Sequence, residues 1–239
     1  MLRIEDVRRV FAGGVVALEG VCLEIGARDF VVLLGPSGCG KSTLLRLIGG
    51  LDVPDAGSLM WAAGPPAAGE LGVVFQDATL MPWASAAENA ALPLRLRGLP
   101  VQPALEMLTR VGLGGFEAAR PSQLSGGMRM RVSIARALAP RPKMLLMDEP
   151  FAALDEFTRH RLQDDVRTLT AACGAACVFV THSIYEAAFL ATKVVVMSPR
   201  PGRIAAVLDY GAAAPDRLGP VFLARVAALT AALHKVHVV

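Results

Sequence analysis

A glycine-rich octapeptide carries the residue types that bind phosphate. The segment GPSGCGKS (35–42) fits the pattern G-x-x-x-x-G-K-[ST], follows the apolar run FVVLL, and precedes a helical pattern that begins near Lys41. Glycines let backbone N–H groups face an anion, and a helix N-terminus adds positive charge. Lys41 is expected to neutralise the β- and γ-phosphates, and Ser42 to coordinate Mg²⁺. The segment therefore predicts a nucleoside triphosphate site.

A second group of candidate residues follows the apolar run MLLM (144–147). The run predicts a buried strand that ends in Asp148 and Glu149, and ligands bind at the carboxyl ends of strands in open α/β sheets. Asp148 is expected to hold Mg²⁺ through water, because Mg²⁺ keeps part of its hydration shell. Glu149 is a candidate base for an attacking water. Alone this pattern is a weak signal, and the phosphate loop strengthens it.

A second glycine-rich segment, QLSGGMRMR (123–131), has no lysine. After it the spacing is helical, with Pro140 ending the helix. The predicted apolar stripe is Met130, Ile134, Ala137 and Leu138, and the polar stripe is Arg129, Ser133 and Arg136. Local chemistry leaves two interpretations open: an anion site at a helix N-terminus, or a capped helix preceded by a flexible turn.

The composition indicates one large domain, or one domain with a subdomain, and a sizeable core. The chain has 239 residues, of which 54% are hydrophobic, and its net charge of +3 is spread along it, so no nucleic-acid surface is predicted. Mean hydropathy is high at +0.48. No run reaches the roughly 18 uncharged apolar residues of a spanning helix. We expect a soluble chain that docks on something apolar.

The N-terminus and the cysteines point to the same kind of protein. MLRIEDVRRV is a charged, strand-like segment and does not resemble a signal peptide. The four cysteines form no CxxC pair and have no nearby histidine at zinc spacing. They are Cys22, Cys39, Cys173 and Cys177. Reduced thiols in a cytosolic protein are expected.

Alternating patterns of strand and helix must position these candidate residues. Strands are predicted at LRIEDVRRV, VVALEGVCLEI, FVVLL, LGVVF, MLLMD, CVFVTH and KVVVMS. Helical patterns dominate from about residue 84 to 139, separate the later strands, and close the chain. This alternation predicts a mostly parallel sheet with helices on its faces.

The chain resembles the ATP-binding cassette (ABC) ATPases over essentially its whole length. The resemblance rests on LLGPSGCGKST, VVFQDATLMPW, QLSGGMRMR, MLLMDEPFAALDE and FVTHS, in the family's order and approximate spacing. It implies an α/β fold: a P-loop NTPase core with a mostly parallel sheet, an antiparallel β subdomain at the N-terminus and an inserted α-helical signature subdomain. We expect a single domain over 1–239. Its expected parts are a core with β subdomain (1–83 and 141–210), a helical subdomain (84–140) and a short C-terminal helix (211–239).

The resemblance also implies a set of site residues. ATP would be bound by Phe11, Gly35, Pro36, Ser37, Gly38, Cys39, Gly40, Lys41, Ser42, Thr43 and Gln76. The metal would be held by Ser42, Gln76 and Asp148. Lys41, Glu149 and His182 would act in catalysis. The signature residues Leu124, Ser125, Gly126, Gly127 and Met128 would contact ATP bound to a second subunit, and Asp155 would communicate across that dimer.

Simpler interpretations stand beside several of these roles. Gln76 also fits a buried amide at a strand end, and Asp155 the N-cap of the next helix. His182 also fits a structural histidine, and Phe11, the expected adenine-stacking residue, a core residue of its strand. The segment SIYE (183–186) predicts a capping box.

The sequence departs from the family pattern at four positions, and none of these departures removes a group that touches phosphate or metal. Met128 stands where Gln is common, and Met130 falls on the apolar stripe where Gln is frequent. Ala152 replaces a usual Ser or Gly, and Arg28 stands where Gly often precedes the buried strand. We therefore expect the ATPase to be active.

The segments around MPW (81–83) and SPRPGRI (198–204) resemble importers of the nitrate, sulfonate and taurine group. This resemblance implies a peripheral subunit on the cytoplasmic face of the bacterial inner membrane, and a short tail with no room for an extra regulatory domain. By the same resemblance, the expected partners are a second cassette in a homodimer, a multi-spanning permease and, indirectly, an extracytoplasmic binding protein. The alternative is a soluble ABC ATPase that acts on DNA or ribosomes.

Overall fold

The computed structural model describes residues 1–152, 154–211 and 215–237. Ala153 of the predicted D-loop lies outside them, as do residues 212–214 and 238–239 of the predicted C-terminal segment. The chain divides into two compact units, residues 1–66 with 176–239, and residues 67–175. We describe each unit by itself.

The elements alternate as the sequence pattern predicts. In chain order they are β1 (Leu2–Phe11), β2 (Val15–Ile25), β3 (Phe30–Leu34), α1 (Lys41–Ile48), β4 (Ala56–Trp61), β5 (Leu71–Val74), α2 (Ala86–Arg95), α3 (Gln102–Arg110), α4 (Gly126–Leu138), β6 (Met144–Asp148), α5 (Glu156–Cys173), β7 (Ala176–Thr181), α6 (Ile184–Leu190), β8 (Lys193–Met197), β9 (Ile204–Asp209) and α7 (Pro220–His237), with a short 3₁₀ helix at Pro121–Gln123.

The first unit contains an antiparallel sheet of order β2-β1-β4. Strand β4 was not predicted, because AGSLMW is short and lacks a clear alternation. Its glycine is the signal that was missed: a Cβ on Gly57 would lie 2.3 Å from the carbonyl oxygen of Asp6, so only glycine permits this close pairing with β1. The pairing of β1 with a later segment completes the predicted N-terminal β subdomain.

The same unit contains the parallel strands that precede the predicted phosphate loop and His182. Strands β7, β3 and β8 run parallel in that order, and β9 pairs antiparallel with β8. Every residue of β3 and of β7 is buried. Continuous apolar runs are typical of strands covered on both faces, so the sequence pattern and the fold agree.

In the second unit the helix α4 packs against α2, α3, α5 and β5. Strands β5 and β6 pair in parallel. The predicted apolar stripe of α4 is buried, but the polar stripe is not a solvent-exposed face: Arg129 is exposed, Ser133 is fully buried and Arg136 is half-buried. The sequence pattern predicted the polarity of this stripe and not its exposure, and a helix covered by several neighbours has little solvent-exposed surface.

Two findings bear on solvent exposure and covalent links. In the described ranges no helix is both long and apolar enough to cross a membrane. All four cysteines lie within those ranges and are free thiols, with Cys39 and Cys177 buried. Burial raises the pKa of both of these thiols, so both are neutral packing groups.

Candidate functional site

The predicted phosphate loop connects β3 to α1 and encloses the ammonium group of its lysine. Lys41 is only 5% exposed, and its Nζ donates to the carbonyl oxygens of Gly35 (2.8 Å) and Pro36 (2.9 Å). Gly38 and Gly40 have φ of 76° and 99°, in the left-handed region that favours glycine. The loop thus combines a buried cation with a helix N-terminus, which suits a phosphate chain.

The loop is also packed too closely for side chains at two of its glycines. A Cβ on Gly35 would lie 2.9 Å from the Met197 carbonyl oxygen, and a Cβ on Gly40 would lie 2.6 Å from Cδ2 of Leu18. Beneath the loop, Cys39 is buried, and burial outweighs the nearby ammonium of Lys41 in raising the pKa of its thiol. The thiol therefore fills space and does not act as a nucleophile at neutral pH.

His182 lies at the same strand edge as the start of the phosphate loop. Strands β3 and β7 are parallel with Leu34 opposite Thr181, so Gly35 and His182 are the next residues after a matched pair. His182 is exposed. The register supports the interpretation of a phosphate-sensing histidine, whose role remains a prediction.

The segment that follows His182 differs from the predicted capping box. Ser183 does cap α6, accepting from the N–H of Glu186 (3.3 Å). The Glu186 carboxylate, however, accepts from the Thr181 hydroxyl (2.5 Å), and that hydroxyl accepts from the Ser183 N–H (3.0 Å). A capping box needs Glu186 to bind the Ser183 N–H, so half of that prediction was wrong. Thr181 takes the second role because strand β7 ends against the helix.

Phe11 lies at the end of β1 and is 42% exposed, so the alternative of a core residue was wrong. The guanidinium carbon of Arg9 lies 5.3 Å from the centroid of its ring. An exposed ring with a cation near it presents apolar surface to a ligand. Stacking on adenine remains a prediction.

In the second unit, Asp148 and Glu149 follow a buried strand as predicted. Val74 of β5 is paired with Met147 of β6, so Gln76 and Asp148 leave the same end of this parallel pair. Gln76 is exposed, so the alternative of a buried amide was wrong. Gln76, Asp148 and Ser42 carry oxygen atoms, the type of ligand that Mg²⁺ prefers.

Glu149 has a φ of 43°, in the left-handed region. That conformation costs a non-glycine residue about 1–2 kcal/mol and is common where function fixes the backbone. Asp148 and Glu149 are both half-buried. The strained backbone motivates the prediction that the position of the Glu149 carboxylate matters for chemistry.

Both interpretations of the second glycine-rich segment concern Ser125, and the cap is confirmed. Ser125 precedes α4, and its Oγ accepts from the Met128 N–H (3.2 Å). Ser125 and Gly126 are exposed, whereas Leu124 is buried and its carbonyl oxygen accepts from Nη1 of Arg129 (2.7 Å). This exposure leaves the helix N-terminus accessible to an anion, and anion binding there remains a prediction.

The predicted D-loop aspartate is likewise an N-cap. Asp155 accepts from the Thr158 N–H (3.0 Å) at the start of α5, and this hydrogen bond lowers the pKa of its carboxyl. A Cβ on Gly127 would lie 2.8 Å from Cγ2 of Thr158, so the signature glycine packs directly on this first turn. Communication of Asp155 across a dimer remains a prediction.

Two arginines of α4, the buried Arg131 and the half-buried Arg136, were not predicted to have a role at the site. Arg136 donates to the carbonyl oxygens of Ala78 (3.0 Å) and Thr79 (2.9 Å), just after Gln76, and burial lowers the pKa of its guanidinium. Nη1 of Arg131 donates to the Val111 carbonyl oxygen (2.6 Å) and forms an ion pair with Oδ2 of Asp165 (3.1 Å). They tie α4 to the Gln76 segment and to α5.

Comparison with known proteins matches the chain to one family. A family profile described as "ABC transporter" matches residues 18–152. An uncharacterized ABC transporter ATP-binding protein of Methanocaldococcus jannaschii is 44% identical over 234 residues, which cover 93% of this chain and 87% of that protein. The taurine import ATP-binding protein TauB of Chromobacterium violaceum is 50% identical over 199 residues (80% and 76%).

Solved structures agree with these sequence matches. A dimeric ATP-binding cassette in a post-hydrolysis state, bound to ADP and Pi, superposes with a TM-score of 0.77 at 33% identity, covering 89% of this chain and 100% of that chain. The shared fold includes a mixed, mostly parallel sheet, an antiparallel sheet and helices.

Proposed function

The chain belongs to the ABC transporter ATP-binding family, and from that premise we propose that it is the ATPase of an importer for a small sulfonate such as taurine. Relatives near 50% identity over four fifths of the chain bear the name of taurine import proteins. Nitrate is the other small solute of this group that the sequence resembles. The alternative of a soluble cassette that acts on DNA or ribosomes finds no support among these relatives.

The observation that carries the proposal is the phosphate loop with its enclosed lysine. Lys41 Nζ donates to the carbonyl oxygens of Gly35 and Pro36, so its ammonium group lies inside the loop. A triphosphate oxygen offers this ammonium a charged acceptor in place of neutral carbonyls, and charge-assisted hydrogen bonds are the stronger ones. ATP binding at this loop follows.

Hydrolysis requires a base and stabilisation of the charge on the transferred phosphoryl group. We assign the base to Glu149, which accepts a proton from water as the water oxygen bonds to the γ-phosphorus and the bond to the β–γ bridging oxygen breaks. Lys41 neutralises charge on the phosphates, and His182 contacts the γ-phosphate. Mg²⁺, held by Ser42, Gln76 and Asp148, supplies further charge neutralisation when bound.

We propose that two copies of the chain enclose two ATP molecules. Ser125 is the exposed N-cap of α4, in a segment that has no lysine. This helix N-terminus could bind phosphates whose charge is already neutralised by the lysine of the partner subunit. A similar solved cassette is a dimer. ATP then favours the closed dimer because both subunits bind its phosphates, and ATP hydrolysis allows the dimer to open.

The segment after Gln76 is our candidate for contact with the permease. Trp83 is 72% exposed, although its neighbours are held firmly. Buried Asn89 accepts from the N–H of Met81 (2.7 Å) and donates to the carbonyl oxygens of Met81 (3.2 Å) and Ala84 (3.1 Å). A rigidly presented, exposed aromatic side chain is typical of a binding surface. The subunit would thus lie peripherally on the cytoplasmic face of the membrane, beneath a permease served by an extracytoplasmic binding protein.

The test uses the Glu149→Gln variant in the chain reconstituted with its permease. ATP binding should persist, whereas phosphate release should fall by about 10²–10⁴-fold, the usual contribution of a general base. Glu106→Gln, an exposed glutamate on α3, is the matched control and should hydrolyse ATP normally. Near-normal turnover of Glu149→Gln would reject the assignment.

A transport assay distinguishes taurine from nitrate as the transported substrate. Proteoliposomes with the binding protein should accumulate labelled taurine only when ATP is present on the side of this chain. Uptake of nitrate but not taurine would replace the proposed substrate, and association with ribosomes or DNA in place of a permease would overturn the transport function.

A further inference from the structure

The turn between β8 and β9 has no role in the proposed mechanism, yet it is tightly built. Its sequence is SPRPGR (198–203). The Ser198 N–H donates to the Arg203 carbonyl oxygen (2.9 Å), and the Ser198 hydroxyl accepts from the Arg203 N–H (3.0 Å), which closes the turn. We call residues 198–203 the brace turn.

The brace turn is anchored on strand β2. The Gly202 N–H donates to the Ala17 carbonyl oxygen (2.9 Å), and the Glu19 N–H donates to the Gly202 carbonyl oxygen (3.0 Å). Arg203 adds an ion pair with Glu19, at 2.5 Å. The two backbone hydrogen bonds fix the position of the turn relative to β2, and the exposed ion pair adds little to them.

From that anchor the brace turn contacts the phosphate loop at two points. The Arg200 guanidinium donates through Nε (3.3 Å) and Nη2 (3.2 Å) to the carbonyl oxygen of Gly38. Gly202 is buried against the carbonyl group of Cys39, since a Cβ on Gly202 would lie 2.0 Å from that carbonyl oxygen. No side chain fits there, so backbone lies directly on backbone.

We propose that the brace turn holds the phosphate loop in its binding conformation and that Arg200 is a positioning residue for the nucleotide. The proposal rests on ATP binding at this loop. A peptide group is planar, so the carbonyl of Gly38 and the N–H of Cys39 point in opposite directions. By holding the carbonyl outward, Arg200 turns the N–H inward, where it now donates across the loop to the Pro36 carbonyl oxygen (3.4 Å).

The charge of Arg200 adds to this geometric effect. Gly38 has a φ of 76° and is exposed, and within the loop its peptide group is held by the long hydrogen bond from the Cys39 N–H to the Pro36 carbonyl oxygen (3.4 Å). A released carbonyl would be free to turn toward the phosphates, which it repels. The guanidinium removes that alternative and leaves its positive charge beside the loop. Arg200 thereby favours anion binding without contacting the anion.

The test compares ATP affinity with stability for a pair of arginines in the same turn. We expect Arg200→Ala to raise the Kd for Mg-ATP about tenfold, the scale of one hydrogen bond to a charged group. Arg203→Ala, which breaks only the surface pair with Glu19, should keep the normal Kd. Arg200→Lys keeps the charge but not the two-pronged geometry, and should fall between.

Calorimetric titration gives the Kd, and thermal unfolding without nucleotide gives the Tm. A positioning role predicts a raised Kd at an unchanged Tm, because Arg200 and Gly38 are both exposed. A normal Kd for Arg200→Ala, or a Kd that rises only together with a lowered Tm, would overturn the proposal. Lys41→Ala separates the two hypotheses: if it binds ATP as the wild type does, the proposed site itself is wrong.

A second variant tests the backbone contact. Gly202→Ala places a methyl group against the Cys39 carbonyl, so the phosphate loop must shift, and ATP affinity should fall further than with Arg200→Ala. Gly114→Ala is the matched control, since its nearest neighbour would lie at 3.9 Å. Normal ATP affinity of a folded Gly202→Ala protein would also contradict the brace.

Discussion

Substitutions at Ser125 can separate its role as the N-cap of α4 from its proposed contact with ATP bound to the partner subunit. Its Oγ caps α4 by accepting from the Met128 N–H at 3.2 Å, and we propose that it also contacts ATP bound to the partner subunit. Three substitutions divide these roles. Ala removes the cap, Asn keeps it without charge, and Asp keeps it while adding a negative charge.

The two roles differ in expected magnitude. Loss of an N-cap destabilises a protein by about 1 kcal/mol, so Ser125→Ala should lower the Tm by roughly 2–4 °C for a chain of this size. Asn and Asp are as good as Ser at an N-cap, and should leave the Tm near normal. A carboxylate about 4 Å from a phosphate charge is repelled by about 4 kcal/mol at an effective dielectric constant near 20. The dimer has two such sites, so the penalty is about 8 kcal/mol and dimerisation weakens about a millionfold.

The assay measures the ATP-dependent monomer–dimer equilibrium by analytical ultracentrifugation. All three variants are made in a Glu149→Gln background, which keeps the ATP intact. We expect Ser125→Asp to stay monomeric while Ser125→Asn dimerises much more strongly, although both have similar Tm values. If Ser125→Asp dimerises as well as Ser125→Asn, the phosphate does not lie against this residue in the partner and the reasoning fails.

Two further predictions concern exposed residues of the first unit. Phe11→Ala should weaken ATP binding roughly tenfold, since stacking on a base contributes about 1–3 kcal/mol; Phe11→Tyr should not, and tripolyphosphate affinity should be equal in all three proteins, so a matching loss for tripolyphosphate would exclude adenine stacking. Arg28 has a φ of 69°, so Arg28→Gly should relieve about 1–2 kcal/mol of strain against about 0.5–1 kcal/mol of added chain entropy and raise the Tm slightly. Arg46→Gly, in the helix α1, should lower the Tm, and a lower Tm for Arg28→Gly as well would refute the strain argument.

Local patterns predicted most of the elements and the capping residues. The run FVVLL followed by the glycine loop predicted β3, the loop and the start of α1, because a buried strand and a helix N-terminus each depend on neighbours within a few residues. Ser125 and Asp155 were recognised as N-caps for the same reason, since a cap bonds to an N–H three residues away. Their proposed roles in trans came from family resemblance and have yet to be tested.

The predictions failed where the partner of a residue is distant in sequence or its environment depends on packing. Strand β4 was missed because it is identified by its pairing with β1, through Gly57. The burial of Ser133 and the partial burial of Arg136 on the polar stripe of α4 were not predicted, because they depend on which elements cover the helix. A periodic pattern identifies a helix face but does not state how many neighbours cover it.

The sequence by itself determined the nucleoside triphosphate site, because the phosphate-binding loop and its lysine lie within eight residues, and the order of five motifs identified the ABC family by resemblance. Only the tertiary structure decided what supports that loop. Arg200 lies 162 positions from Gly38 along the chain, and the two meet because the parallel strands β3 and β8 end at the same edge. Strand order brings the brace turn there, and no local pattern encodes which strands become neighbours.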